Sequence, residues 1–128
     1  MKNLSKFLTV YFLIMALTNI SNTFAASSDS SSNNTIKSTD YYLAKDLIAK
    51  GNYNEAIRIL KDLEKEIIKD ADIQNNLGFC YRKIGDLVNA GNHYNKALII
   101  NPKHKGALEY QGEMYLKLNQ VDKAKENL

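Results

Sequence analysis

The strongest constraint on this chain is a repeat interval of 34 residues. Shifted by that amount, the sequence aligns Leu43 with Leu77. The same shift brings together Ala44, Gly78 and Gly112, then Leu47, Tyr81 and Tyr115, then Ala56, Ala90 and Ala124. Gly51 meets Gly85, with Asn119 at the third copy. The positions that agree carry small or bulky apolar side chains at helical spacing. A fixed period of this length marks a repeat architecture, in which each copy is one supersecondary unit that buries its apolar face against its neighbours. Pro102 is the only proline, and long proline-free stretches favour helix.

The middle copy, from Ala71 to His104, is the clearest. It reads Leu77-Gly78-x-x-Tyr81, then Gly85-Asp86-Leu87, then Ala90, Tyr94, Ala97 and Pro102. Small residues at Gly78, Ala90 and Ala97 let two helices approach closely, while Leu77, Tyr81 and Tyr94 fill the space on either side. Gly85 ends the first helix in a conformation that β-carbon-bearing residues avoid, and Asp86 stands ready to cap the second. Asn52 with Glu55 makes a capping-box-like start in the first copy. Pro102 forces the turn after the second helix. Helices are expected near 38–50, 54–68, 72–84, 87–100, 105–117 and 121–128.

This pattern resembles the tetratricopeptide-repeat (TPR) family, with its L-G-x-x-Y in one helix, A-x-x-x-F/Y-x-x-A in the next, and a proline in the following turn. The resemblance covers Lys37 to Leu128. It implies an all-α, TPR-type α-solenoid of antiparallel hairpins stacked in a right-handed superhelix. The copies are 37–70, 71–104 and an incomplete 105–128, about 2.7 in all. The repeat core then consists of Leu43, Ala44, Ala56, Leu77, Gly78, Tyr81, Ala90, Tyr94, Ala97, Pro102, Gly112, Tyr115 and Ala124. Two departures stand out: Gly91 occupies a position usually held by a large aliphatic, and Gln111 replaces the leucine of the earlier copies. So few copies are near the minimum for a stable solenoid. The sequence is therefore expected to be the repeat portion of a longer protein, or to dock its open end, Val121 to Leu128, on another molecule, a second copy included.

In TPR arrays the inner helix of each hairpin lines a concave groove. By that resemblance the groove receives Tyr41, Lys45 and Ile48 from the first copy, Asn75, Phe79, Arg82 and Lys83 from the second, and Glu109, Glu113, Leu116 and Lys117 from the third. Aromatic and arginine side chains are the types that anchor interfaces, so the partner is expected to be a protein or peptide. TPR proteins that clamp acidic chaperone tails need two basic residues in the third copy. Gly106 and Tyr110 stand there instead, so that partner is not expected. The groove reads as basic in its middle and acidic towards its end, suited to a mixed-charge peptide.

The N-terminus reads as an address. Lys2 and Lys6 precede an apolar run, Phe7 to Leu17, and the polar stretch after it ends Thr23-Phe24-Ala25. Small residues at Thr23 and Ala25 suit cleavage after Ala25, the layout of a secretory signal peptide at 1–25. The run is too short to span a hydrocarbon core about 30 Å thick. A periplasmic location follows as the expectation, the alternative being an uncleaved anchor. Residues 26–36, rich in Ser and Asn, read as a flexible spacer.

Net charge is +3; without Lys2 and Lys6, 15 basic residues face 14 acidic ones. That balance argues against nucleic acid, which calls for a clustered basic face. His93, His104 and Cys80 lack metal-ligand spacing, and Cys80, the only cysteine, reads as a buried thiol beside Tyr81. No nucleophile elbow or phosphate-cradling glycine loop is present. The expectation is a binding protein without cofactor, not an enzyme.

Overall fold

Three residues in the left-handed backbone region, spaced 34 apart, punctuate the chain. Gly51, Gly85 and Asn119 have φ of 79°, 89° and 57°. Glycine enters that region without steric cost, and asparagine tolerates it better than most other residues. Each sits in the tight turn between the two helices of one hairpin. In the computed structural model, which describes the backbone of residues 29–127 and side chains from 38 to 127, the elements are α1 (Asp29–Ala49), α2 (Tyr53–Glu66), α3 (Ala71–Lys83), α4 (Leu87–Ile100), α5 (Lys105–Lys117) and α6 (Val121–Glu126). The expected signal peptide (1–25) and the first residues of the expected spacer lie outside the described residues. From Asp29 on, that spacer stretch is helical. No proline or glycine separates Ala25 from Gly51, and extending an existing helix costs far less than nucleating one.

Caps fix the other helix starts. The Asp86 carboxylate accepts from the Asn89 N–H at 3.0 Å, as expected from sequence. Asp70 does the same for α3, accepting from the Ile73 N–H at 3.0 Å. His104 caps α5, its Nδ1 accepting from the Ala107 N–H at 3.1 Å. The capping box expected at Asn52 does not form: that residue makes no side-chain cap bond, and Glu55 pairs with Arg58 at 3.3 Å instead. Asn101, held extended (φ −136°, ψ 95°) by the ring of Pro102, ends α4.

Residues 34–128 form one compact unit, and the hairpin core lies within it. One buried cluster joins Ala44, Ala56, Leu60, Leu63, Ile73, Leu77 and Cys80, and another joins Ala90, Tyr94, Ala97, Ala107 and Met114; Tyr81 packs against both. Fully burying a side chain of leucine size contributes about 1.5–3 kcal/mol, so Leu60, Ile73 and Leu77 are the main apolar ties between α2 and α3. The closest approach is at Gly78: a β-carbon there would lie 2.7 Å from Cδ1 and Cε1 of Tyr94. The missing side chain is what seats the tyrosine ring, and Tyr94 is wholly buried as a result.

Leu43, placed in the core by its register with Leu77, is 46% exposed. Leu77 is covered by α2 of the preceding hairpin, whereas Leu43 belongs to the first hairpin and has no preceding one among the described residues. Pro102 is likewise exposed, in its turn. Gln111 is buried where leucine stands in the other copies, and both ends of its amide are satisfied. Its Nε2 donates to Asn95 at 2.7 Å and its Oε1 accepts from Asn127 at 3.0 Å. Burying a polar group is tolerable only with such partners.

Candidate functional site

The repeat places equivalent residues of α1, α3 and α5 in register along one face. One row is Lys45, Phe79 and Glu113, each 34 apart; the next is Tyr41, Asn75 and Glu109; a third is Ile48, Arg82 and Leu116. Direct bonds tie the inner helices side by side. Tyr41 Oη accepts from Asn76 Nδ2 at 3.1 Å, and Arg82 Nη1 pairs with Glu113 at 3.0 Å.

Phe79 sits at the centre of this face, half-buried. Its ring centroid lies 6.2 Å from that of Tyr53 and 5.1 Å from that of Tyr110. Arg82 lies over both Phe79 (5.5 Å) and Tyr110 (5.4 Å), and the Lys83 ammonium is 5.2 Å from the Phe79 ring. Cation–π contacts of this kind contribute about 0.5–1 kcal/mol at exposed sites. Lys45 lies similarly over Tyr41, at 5.9 Å. The result is an aromatic strip with exposed ammonium groups along its edge.

Several expected groove residues take other roles. Arg82 is not offered to a ligand: its side chain is 8% exposed and its charge is met by Glu113. Burial, the largest influence, pushes the neighbouring Tyr94 hydroxyl up to about 12, against the pull of Arg82. Among the described residues neither Tyr94 Oη nor Arg82 Nε has a hydrogen-bond partner. Asn75 is buried, packed against Gly106 at the start of α5. Ile48 is half-buried against the first core cluster. Lys45, Lys83, Glu109, Glu113, Leu116 and Lys117 remain exposed. Tyr53 and Tyr110 belong to the strip although sequence reasoning left them out of the groove. Tyr110 falls in register with Tyr42 and Asn76, one residue along from the Tyr41 row, and that adjacent row would have identified it.

A polar joint binds α2, α3 and α4. Gln74 Nε2 donates to Glu64 at 3.0 Å, which makes Gln74 Oε1 the acceptor for His93 Nδ1 at 2.8 Å. The His93 ring stacks on Tyr81 at 5.3 Å. Burial is the main cause that depresses His93, to about 4, with Lys96 adding to it. Burial would raise Glu64, but hydrogen bonds from Lys61, Gln74 and Lys96 outweigh it and hold the carboxyl near 2. His104, bonded at Nδ1 to the backbone, donates from Nε2 to Asp72 at 2.9 Å, so both histidines serve packing. Cys80 is buried and its thiol is pushed up to about 12 by that burial, which keeps it protonated and inert. No helix among the described residues is long and apolar enough to cross a membrane.

An apolar hollow lies between α5 and α6 and shares Glu109, Glu113 and Leu116 with the groove rows. It has a volume of about 250 Å³ and is lined by Leu108, Gly112, Leu116, Val121 and Ala124, with Glu109 and Glu113 on one helix and Lys125 on the other.

Residues 71–104, the copy read as clearest, match the family described as Tetratricopeptide repeat. No curated protein matches the chain in sequence. Among solved structures, the chain is similar to the Yersinia enterocolitica type III secretion chaperone SycD in complex with a peptide of the translocator YopD. That likeness has 20% identity over 73% of this chain and 71% of that one, with TM-score 0.69. PcrH in complex with the chaperone binding region of PopD gives 21% identity, 74% and 71% coverage, and TM-score 0.69. The second TPR of Spaghetti (RPAP3) bound to the HSP90 peptide SRMEEVD gives 17% identity, 77% and 91% coverage, and TM-score 0.69. At these identities the likeness establishes the fold: a TPR-type solenoid of stacked antiparallel hairpins.

Proposed function

We propose that this chain is an exported scaffold that holds a protein or peptide partner across the face formed by α1, α3 and α5. The observation that carries the reading is the aromatic strip Tyr53–Phe79–Tyr110 with Lys83 at its edge. Half-buried rings beside exposed charges supply large contact area at low entropic cost, the usual composition of an interface anchor. The solved chaperones and peptide-binding domain that share the fold hold segments of other proteins, which supports the same use here. The chain holds its partner without transforming it and uses no cofactor. The N-terminal targeting pattern supports a periplasmic setting, with a role in envelope assembly or secretion.

Capture from a periplasmic extract tests the binding reading. Phe79→Ala should abolish capture while leaving the helical circular dichroism of the chain intact. Arg82 is unsuitable for this test because its nearly buried side chain lies over Phe79 and Tyr110, so its removal would disturb the strip itself. Unchanged capture by Phe79→Ala would sink the groove reading. N-terminal sequencing of the protein recovered from the periplasm tests export: the first residue should be Ala26.

A second reading, self-association, is favoured by the hollow between α5 and α6, whose apolar lining carries acidic residues on one helix and a lysine on the other. Sedimentation over a concentration series decides it, and a monomer throughout would rule it out.

A further inference from the structure

We infer that the partner segment is an extended peptide of opposite end charges: an acidic and a basic residue about six positions apart, with an apolar side chain midway. This deepens the groove reading and rests on it. Lys45, Phe79 and Glu113 form one register row, in the order cation, aromatic, carboxylate. Lys45 is exposed. Phe79 presents a half-buried ring within the aromatic strip. Glu113 is half exposed, so Arg82 engages one of its oxygens while the side chain still faces solvent. Of the flanking residues on α5, Glu109, one turn before Glu113, is exposed and adds negative charge, while Lys117, one turn after it, is exposed and offsets part of it. The α1 position corresponding to Glu109 is Tyr41, which brings no acidic group to the Lys45 end.

Dimensions fix the ligand length. Packed helices lie about 8–10 Å apart, and α1, α3 and α5 are tied side by side through Tyr41–Asn76 and Arg82–Glu113. The two outer charges of the row therefore lie about 18 Å apart. An extended chain rises about 3.3 Å per residue, so about six residues separate the groups that meet Lys45 and Glu113. The midpoint residue falls on Phe79 and has to be apolar to use that ring. A helical segment of equal length would reach only about half the distance at 1.5 Å per residue.

Two peptides of identical composition, each acetylated at the N-terminus and amidated at the C-terminus so that only side chains carry charge, test this against the purified chain by NMR titration: Asp-Ser-Ser-Leu-Ser-Ser-Lys, with charges at its ends, and Ser-Ser-Asp-Leu-Lys-Ser-Ser, with charges together. Each exposed charge pair is worth about two- to fivefold in affinity. The first peptide should therefore bind about five- to twentyfold tighter, with shifts at Tyr53, Phe79 and Tyr110. Lys45→Glu, a surface change, should remove most of that advantage, and 0.5 M salt should shrink it. If both peptides bind equally well and shift Phe79, the polarity is wrong and the groove reading stands. If neither moves the resonances of the aromatic strip, the groove reading falls and takes the polarity with it.

Discussion

Gly78→Ala is a single-methyl change with an outcome that can be worked from the coordinates. The new β-carbon would sit 2.7 Å from two ring carbons of Tyr94 and 3.1 Å from a third. Carbon pairs settle at about 3.5–4.0 Å, so the ring would have to retreat by roughly 0.8 Å. It has nowhere to go: Tyr94 is wholly buried and shares its cluster with Ala97, Ala107 and Met114. Overpacking of this kind costs about 1–3 kcal/mol, and the better helix propensity of alanine returns about 1 kcal/mol. The net loss is up to about 2 kcal/mol, which lowers the midpoint of a domain this size by up to about 15 °C. The equivalent glycine one copy later provides the internal control. At Gly112 the nearest atom to a β-carbon is 3.8 Å away, so Gly112→Ala should leave stability unchanged or raise it by up to about 1 kcal/mol. Thermal melts followed at 222 nm give both numbers. Gly78→Ala should therefore lie about 1–3 kcal/mol below Gly112→Ala; if the two are equally stable, the account of the hairpin as built around that contact is wrong.

Tyr94→Phe should change stability by less than about 1 kcal/mol in urea melts, because the buried Tyr94 hydroxyl makes no well-aligned hydrogen bond and gains only the pull of the nearby Arg82 charge. Asp70→Ala should cost about 1 kcal/mol by loss of the α3 cap, against a few tenths for Asn52→Ala, which caps nothing. Acid should loosen the joint of α2, α3 and α4 in two windows. His93 titrates near 4 in the fold against an ordinary 6.5, so the unfolded chain takes its proton first. Its contribution is full above about 6.5 and is lost as pH falls to about 4, by about 3 kcal/mol. Glu64, held near 2 against 4.5, adds a second loss between those values. His93→Gln should flatten the upper window and leave the lower one, as read from stability measured across pH.

The sequence displayed what depends on local chemistry and on period. Gly51, Gly85 and Asn119 align at the repeat interval, and all three are left-handed. Asp86 caps as its spacing implied, and the alanines at 44, 56, 90, 97 and 124 are buried. What escaped depends on neighbours from other copies. Arg82 reads as a groove cation, yet Glu113, 31 residues on, draws it into the packed layer. Leu43 matches Leu77 in register, but no helix among the described residues covers it as α2 covers Leu77. Gln111 looked like a defect until Asn95 and Asn127 supplied its bonds. Asn52 offered a cap that Glu55 declined in favour of Arg58. Histidine is an uncommon cap, so His104 went unrecognised, and only the fold brings Asp72 to its other nitrogen.

Site-specific photo-crosslinking measures the docking face most directly. A photoreactive residue placed at Lys83, beside Phe79, should form adducts with the partner in the periplasm, whereas one at Val88, 76% exposed on α4, should form none. Adducts from position 88 with none from 83 would contradict the assignment of the inner helices as the binding surface.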